Sequence, residues 1–189
     1  MPQRQIIVLE GLPASGKTSL ANYLRDNFGG YKVNESSGAL SKNTGNQRAI
    51  FQDTIKKYSA AITKSGLIII DRGYPSLLAW DFCREQKGYA HDYLEKLNWI
   101  EAGLRSGELY EPNLYIYLRI TYELSFQRRS RQTDIADIWS NKEGIINCIE
   151  FYEKFFKQTE QRKRTLIFDG ALTSGKIADS IINLLKFNA

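Results

Sequence analysis

The stretch GLPASGKT, from Gly11 to Thr18, has the residue types and the spacing of a loop that binds phosphate groups. Gly11 and Gly16 bracket four residues and allow consecutive backbone N–H groups to turn inward around an anion. Lys17 would reach the β- and γ-phosphates of a bound nucleotide, and the Thr18 hydroxyl would be a ligand of Mg²⁺. The residues predicted to contact the phosphates are Gly11, Leu12, Pro13, Ala14, Ser15, Gly16, Lys17, Thr18 and Ser19.

The segments on either side of this loop distinguish it from an ordinary glycine turn. QIIVL, from Gln5 to Leu9, is typical of a buried strand, and TSLANYLRDNF is typical of a helix with Leu20 and Leu24 on one face. Such a helix would direct its free N-terminal N–H groups at the phosphates. The order strand, loop, helix is the context that this motif requires.

Three more charged residues lie at or directly after the ends of predicted strands and could act in phosphate transfer. Asp71 ends LIIID and would stand near the water shell of the metal ion, with a strand-end cap as its alternative role. Arg72 could hold an anionic group of the acceptor through two parallel hydrogen bonds, or else form a structural ion pair. Glu35 could take a proton from an attacking hydroxyl, and a solvated loop glutamate is the alternative.

The segment QRRSRQTDIAD, residues 127–137, concentrates arginines before a polar stretch. Arginines on a mobile segment can fold over the phosphates and neutralise the charge that spreads in a loose transition state. We assign this role to Arg128 and Arg131 and leave Arg129 outside it. At least one of the three arginines is expected to be a solvated charge at a helix end.

Five apolar segments alternate with helical patterns, which predicts a parallel α/β sheet with helices on both faces. Ligands bind such sheets beyond the carboxyl ends of the strands. Phe51 and Tyr58 share a stripe on the helix after the second strand and could offer an aromatic face to a nucleobase, although core packing is expected for at least one. The predicted strands are QIIVL, GGYKVNE, LIIID, NLYIYL (Asn113 to Leu118) and TLIFD (Thr165 to Asp169).

Length and composition favour one globular domain in the cytoplasm. The chain has 189 residues and a net charge of +5, which suits an anionic substrate and is also compatible with nucleic acid. MPQRQ lacks the apolar stretch of a signal peptide, and the longest aliphatic run, LIII, is too short to span a bilayer. Cys83 and Cys148 fit no redox or metal motif and are expected to be buried free thiols.

The chain resembles the P-loop nucleotide and nucleoside kinases, and among them it is most similar to thymidylate kinases and deoxynucleoside kinases. The matching segments, in the order of the family, are GLPASGKT, DRGYPSLLAW and PNLYIYLRITYELSFQRRSR. The second is similar to the family pattern Asp-Arg-x-x-x-Ser, with Asp71, Arg72 and Ser76. In the third, Glu123 and Arg128 are similar to the glutamate and arginine that lead into the family's lid.

The resemblance implies a three-layer P-loop NTPase fold with a five-stranded parallel sheet, Mg²⁺, and ATP as the phosphate donor. It also implies a lid over about residues 131–141 within a single domain covering residues 1–189. Thymidylate kinases carry Arg-Glu-Pro-Gly-Gly-Thr where this chain reads NESSGAL, whereas Glu35 resembles the catalytic glutamate of deoxynucleoside kinases. The implied adenine pocket lies at the loop after the last strand, Asp169, Gly170, Ala171 and Leu172.

The motifs of the chain distinguish between several functional classes. A GTPase would need DxxG and NKxD patterns, which DRGY and NKEG do not match. The favoured function is a kinase for a nucleoside monophosphate or a deoxynucleoside. The alternatives are a kinase for another small-molecule hydroxyl or a polynucleotide 5′ end, and a non-catalytic ATP-binding module. The expected partner is a small-molecule nucleotide or nucleoside; nucleic acid is less favoured, a homodimer is compatible with the resemblance, and no membrane partner is expected.

Overall fold

A parallel five-stranded sheet forms the centre of the structure, a computed structural model that describes residues 4–33, 47–86, 88, 93–129 and 142–187. The strands lie in the order β2-β3-β1-β4-β5, and each pairs with its neighbours in parallel. Their bounds are β1 Gln5–Glu10, β2 Tyr31–Val33, β3 Leu67–Asp71, β4 Leu114–Arg119 and β5 Thr165–Asp169.

Helices connect these strands and cover both faces of the sheet. Within the described ranges they are α1 Lys17–Phe28, α2 Gln47–Ile62, α3 Tyr74–Gln86, α4 Tyr93–Ser106, α5 Tyr122–Arg129, α6 Lys142–Phe155, the short α7 Thr159–Arg162, and α8 Ser174–Phe187. None of them combines the length and the apolar composition that a bilayer-spanning helix requires.

The core has two layers because successive residues of a strand point to opposite faces of the sheet. Ile6 and Val8 pack on one face against side chains of α2, α3, α4 and α6. Ile7 and Leu9 pack on the other face against α1 and α8. A strand covered on both faces has no polar side, which explains why β1 reads as an uninterrupted apolar run.

The predicted strands and the parallel α/β architecture are confirmed, with small shifts of boundary. β4 begins at Leu114 instead of Asn113, because the Asn113 side chain accepts a hydrogen bond from the Ile6 N–H at 2.7 Å. Cys83 and Cys148 are buried free thiols, as expected. In the sequence, Asp92 with Glu95 and Ser140 with Glu143 form capping-box patterns at predicted helix starts, and Asp92 and Ser140 lie outside the described residues.

The carboxyl ends of the strands meet at one edge of the sheet, and Asp71, Arg119 and Asp169 lie there. Leu9 near the end of β1 pairs with Asp71 at the end of β3. Arg119 at the end of β4 pairs with Asp169 at the end of β5. Residues far apart in sequence are therefore brought to a common edge, with the glycine-rich loop at its centre.

Candidate active site

The loop from Gly11 to Gly16 has the backbone that its glycines were expected to allow. Gly11 has a φ of +137°, and a Cβ atom at this position would lie 2.5 Å from the backbone oxygen of Leu118. Gly16 caps the start of α1 with a φ of +98°, and no side chain caps this helix end. The first turn of α1 also carries no acidic residue, so its positive end is open to an anion.

Lys17 is the first residue of α1, and its side chain packs inside this loop with 5% of the residue exposed. Its ammonium group donates hydrogen bonds to the backbone oxygen atoms of Gly11 at 3.0 Å and Leu12 at 2.7 Å, and to the Ser15 hydroxyl at 3.0 Å. The loop therefore surrounds a positive charge with its own oxygen atoms. A phosphate group entering the loop would meet that charge directly.

Thr18 and Asp71, the two residues predicted as oxygen ligands of Mg²⁺, are in direct contact. The Thr18 hydroxyl donates to Oδ2 of Asp71 at 2.8 Å, across 53 positions of sequence. The side chain of Asp71 is buried, and its Oδ1 atom has no hydrogen-bond partner among the described residues. A hydroxyl beside a buried carboxylate fits Mg²⁺, which prefers hard oxygen ligands and needs few of them from the protein.

Arg72 lies directly beside the loop. Its guanidinium group donates from Nη1 to the backbone oxygen of Gly11 at 3.2 Å and, at the longer distance of 3.4 Å, to the Ser76 hydroxyl. Its φ is +63°, a left-handed conformation that is uncommon outside glycine. The structure thus places a fixed cation between the phosphate loop and the first turn of α3.

A cleft of about 290 Å³ opens on the other side of the loop, between α1, α5 and the segment after β5. Gly170 and Leu172 of the predicted adenine pocket line it, together with Ser19 in the first turn of α1. Asp169 shapes the turn instead, because its carboxylate accepts the N–H of Ala171 at 2.8 Å. Two of the four residues predicted for the adenine pocket therefore line a cleft that borders the glycine-rich loop.

Arg128 bridges the two walls of this cleft. Its Nη1 atom donates to the backbone oxygens of Ala14 at 3.2 Å and Gly170 at 3.0 Å. Arg129 differs from it: its side chain is buried and donates to the backbone oxygen of Ser125 at 3.3 Å. Arg128, which is exposed, therefore contacts the loop, whereas the buried Arg129 contacts its own helix.

Of the two aromatic residues considered for a nucleobase, Tyr58 is fully buried in the core and Phe51 is only partly buried. The ring of Phe51 stacks on that of Trp99, with centroids 4.2 Å apart and planes at 8°. Core packing therefore accounts for Tyr58, in line with the expectation that at least one of the pair packs in the core.

Glu10 is a residue of this region that the sequence analysis did not single out. It ends β1, directly before Gly11, and its side chain is fully buried. Burial raises the pKa of its carboxyl group, against the lowering effects of a Ser76 hydrogen bond and the charge of Arg72. The signal in the sequence that could have revealed Glu10 was a charged residue at the end of an apolar strand, directly before the glycine-rich loop.

Part of the predicted site falls outside the described residues. Glu35, Arg131 and the lid expected over about residues 131–141 belong to this part. Their predicted roles stay predictions.

Comparison with solved structures identifies the fold. A deoxyadenosine kinase from M. mycoides with dCMP and a flexible dCDP bound matches with a TM-score of 0.74 and 17% identity, over 96% of this chain and 99% of that one. The same kinase with dATP bound gives a TM-score of 0.68 at 16% identity, over 96% of this chain and 100% of the other. The YorR protein of Bacillus subtilis, in complex with phosphorylated GDP, gives 0.64 at 21% identity, over 97% of each chain.

Sequence comparisons give no corresponding signal, since no protein-family model and no curated protein matches this chain. At these identities the structural likeness shows the fold. The chain has the P-loop fold of deoxynucleoside kinases over nearly its whole length. The resemblance drawn from GLPASGKT, DRGYPSLLAW and the third segment is confirmed at that level.

Proposed function

We propose that this protein is an ATP-dependent kinase that transfers the γ-phosphate of ATP to a nucleoside monophosphate or a deoxynucleoside. The observation that carries the proposal is the cluster of Lys17, Thr18 and Asp71, in which a phosphate loop meets a buried carboxylate. The shared fold adds support, because the M. mycoides deoxyadenosine kinase structures hold dCMP, dCDP and dATP.

On the donor side, the phosphates of ATP would occupy the loop between Gly11 and Gly16. Lys17 would exchange the loop oxygen atoms that it now contacts for phosphate oxygens. Thr18 and Asp71 would hold Mg²⁺, which neutralises phosphate charge when it is bound. The base would enter the cleft beside Leu172, with Arg128 at its wall.

On the acceptor side, Arg72 would hold an anionic or polar group of the acceptor next to the loop. A hydroxyl acceptor must lose a proton, and Glu35 would accept it. Arg128 and Arg131 would neutralise charge on the transferring phosphoryl group as the segment over about residues 131–141 closes. A cytoplasmic location and one kinase domain over residues 1–189 are further predictions for the same protein, and a homodimer is compatible with them.

The test is phosphate transfer from γ-labelled ATP to a panel of deoxynucleosides, nucleoside monophosphates and oligonucleotides with a 5′ hydroxyl. The oligonucleotides belong in the panel because the net charge of +5 would suit a polynucleotide. We expect labelled product from a deoxynucleoside or a monophosphate, at a rate that depends on Mg²⁺. Tight Mg-ATP binding without transfer to any acceptor would contradict the proposal and leave an ATP-binding module.

A further inference from the structure

Glu10 accepts hydrogen bonds from three segments of the chain. Its Oε1 atom accepts the N–H of Gly73 at 2.8 Å, and its Oε2 atom accepts the hydroxyls of Ser76 at 2.5 Å and Tyr152 at 3.0 Å. Gly73 lies in the turn after β3, Ser76 in the first turns of α3, and Tyr152 in α6. A fully buried carboxylate with three donors is a built feature, because an ionised group without partners would not remain there.

The backbone of Arg72 is tied to the end of β1 on both sides of its α-carbon. The N–H of Arg72 donates to the backbone oxygen of Leu9 at 3.1 Å, and the next N–H, that of Gly73, donates to Glu10. Arg72 has a φ of +63°. A non-glycine residue keeps such a conformation only where its surroundings hold it. Glu10 supplies one of the contacts that do so, beside the Leu9 oxygen and a 3.5 Å hydrogen bond from the Lys57 ammonium group to the backbone oxygen of Arg72.

The side chain of Arg72 is linked to the same carboxylate. Arg72 reaches the Ser76 hydroxyl at 3.4 Å, and Ser76 in turn donates to Glu10. The positive charge of Arg72 also acts directly on the Glu10 carboxyl group. Both the backbone and the guanidinium group of Arg72 are therefore oriented by one buried carboxylate.

We infer that Glu10 is a positioning residue: it holds Arg72 in the orientation from which Arg72 binds the phosphate acceptor, and Tyr152 fixes the carboxylate for this task. The inference rests on the proposed function, in which Arg72 holds the acceptor. The side-chain hydrogen bonds of Glu10 run to Gly73, Ser76 and Tyr152, and none of these three residues belongs to the phosphate loop. Arg72 itself also donates to Gly11 of that loop, so we expect the loss of Glu10 to act far more on the acceptor than on ATP.

The first test is the kinetics of Glu10→Gln, which keeps the shape of the side chain and removes its charge. We expect kcat/KM for the acceptor to fall about 10- to 100-fold, as misplacement of a substrate-binding group does. The Kd for Mg-ATP, measured by calorimetry, should stay within about twofold of the wild-type value, a margin small beside a tenfold effect. An unchanged acceptor kcat/KM, or an equal loss of ATP binding, would overturn the inference.

Two tyrosines of one aromatic cluster provide a matched pair. Tyr117 and Tyr152 are both buried, with ring centroids 5.3 Å apart, but within the described part of the chain the Tyr117 hydroxyl has no hydrogen-bond partner. Tyr152→Phe should therefore raise the acceptor KM and lower kcat, whereas Tyr117→Phe should change neither. Equal effects of the two substitutions would reduce the role of Tyr152 to core packing.

A second readout does not depend on kinase activity. Glu10→Ala removes the acceptor of the Gly73 N–H, so hydrogen exchange at this amide should accelerate in the variant while exchange within β1 stays slow. If Glu10→Ala does not fold, Ser76→Ala serves instead, with heteronuclear NMR following the Arg72 and Gly73 amide signals. A wild-type protein without any transferase activity would refute the proposed function, whereas unchanged exchange and unchanged amide signals would refute the positioning role.

Discussion

Lys17 is the residue whose surroundings point most directly to phosphate chemistry. Its ammonium group is almost fully buried, and it donates hydrogen bonds to three oxygen atoms of the glycine-rich loop. A buried cation gains more from an anionic partner than from neutral ones, because charge-assisted hydrogen bonds are stronger. We therefore interpret the loop as prepared for a phosphate.

Lys17→Ala should lower the rate of phosphate transfer by at least about 10²-fold, because it removes the cation that stabilises the negative charge developing on the phosphates. The protein should remain folded, since this side chain contributes to the loop and not to the apolar core. Steady-state transfer from labelled ATP and circular dichroism measure the two effects. Lys56→Ala, at an exposed position of α2, is the matched control and should leave both unchanged. Unchanged turnover in Lys17→Ala would contradict the assignment.

Glu35 and Arg72 distinguish the two acceptor classes. If the acceptor is a hydroxyl, Glu35→Gln removes the base and should lower kcat by about 10²–10⁴-fold. If the acceptor is a monophosphate, which is already ionised, Glu35→Gln should cost far less. Arg72→Ala should then carry the loss, through the acceptor KM and kcat together. Parallel assays of both variants on a deoxynucleoside and its monophosphate would decide, and normal activity of both on every acceptor would refute these roles.

At the scale of elements, the loop depends on how closely β1 approaches β4. Gly11 brings the backbone so near to Leu118 that a Cβ atom has no room, whereas a Cβ atom at Gly66 would meet open space. Both glycines have a positive φ, of +137° and +78° respectively. The two positions thus share a positive φ and differ in the space that is available for a Cβ atom.

Gly11→Ala should therefore destabilise the protein more than Gly66→Ala. The Gly66 change carries mainly the conformational cost, of about 1–2 kcal/mol. The Gly11 change adds displacement of the loop or of β4, so Mg-ATP binding should weaken as well. Urea unfolding and calorimetry measure the two effects. Equal unfolding midpoints for the two variants would show that the close approach to Leu118 does not constrain the loop.

At the scale of the whole molecule, Glu10 links β1 to α3 and α6, and its protonation is coupled to folding. Burial raises its pKa in the folded state above the ordinary value of 4.5. A raised pKa favours the protonated form in the folded state, so this stabilising contribution is complete below about pH 4.5 and is lost as the pH rises through the folded-state pKa.

Glu10→Gln removes this dependence, because glutamine cannot ionise. The stability of the variant relative to the wild type should therefore increase from pH 4.5 upward and level off above the folded-state pKa. Urea unfolding of both proteins between about pH 4 and pH 8 measures this difference in the range where buried carboxyl groups titrate. A difference that stays constant over this range would show that the Glu10 carboxyl group titrates alike in the folded and unfolded states.

The sequence by itself determined the strands, the glycine-rich loop and the parallel α/β class. These features rest on local patterns: apolar runs for strands covered on both faces, and glycines at the two positions where the loop needs them. The positions of Asp71 and Arg72 at the end of β3, and of Lys17 and Thr18 at the start of α1, followed from the same patterns. Glu35 and Arg131, which lie outside the described residues, remain predictions from sequence alone.

Only the tertiary structure decided which of these residues meet. The bond from Thr18 to Asp71 spans 53 positions, and the one from Arg128 to Ala14 spans 114. No local pattern encodes such contacts, because they depend on the order of the strands and on the packing of helices between them. The buried network of Glu10 was missed for the same reason: its three donors come from residues 73, 76 and 152, and converge only when α3 and α6 pack against the sheet.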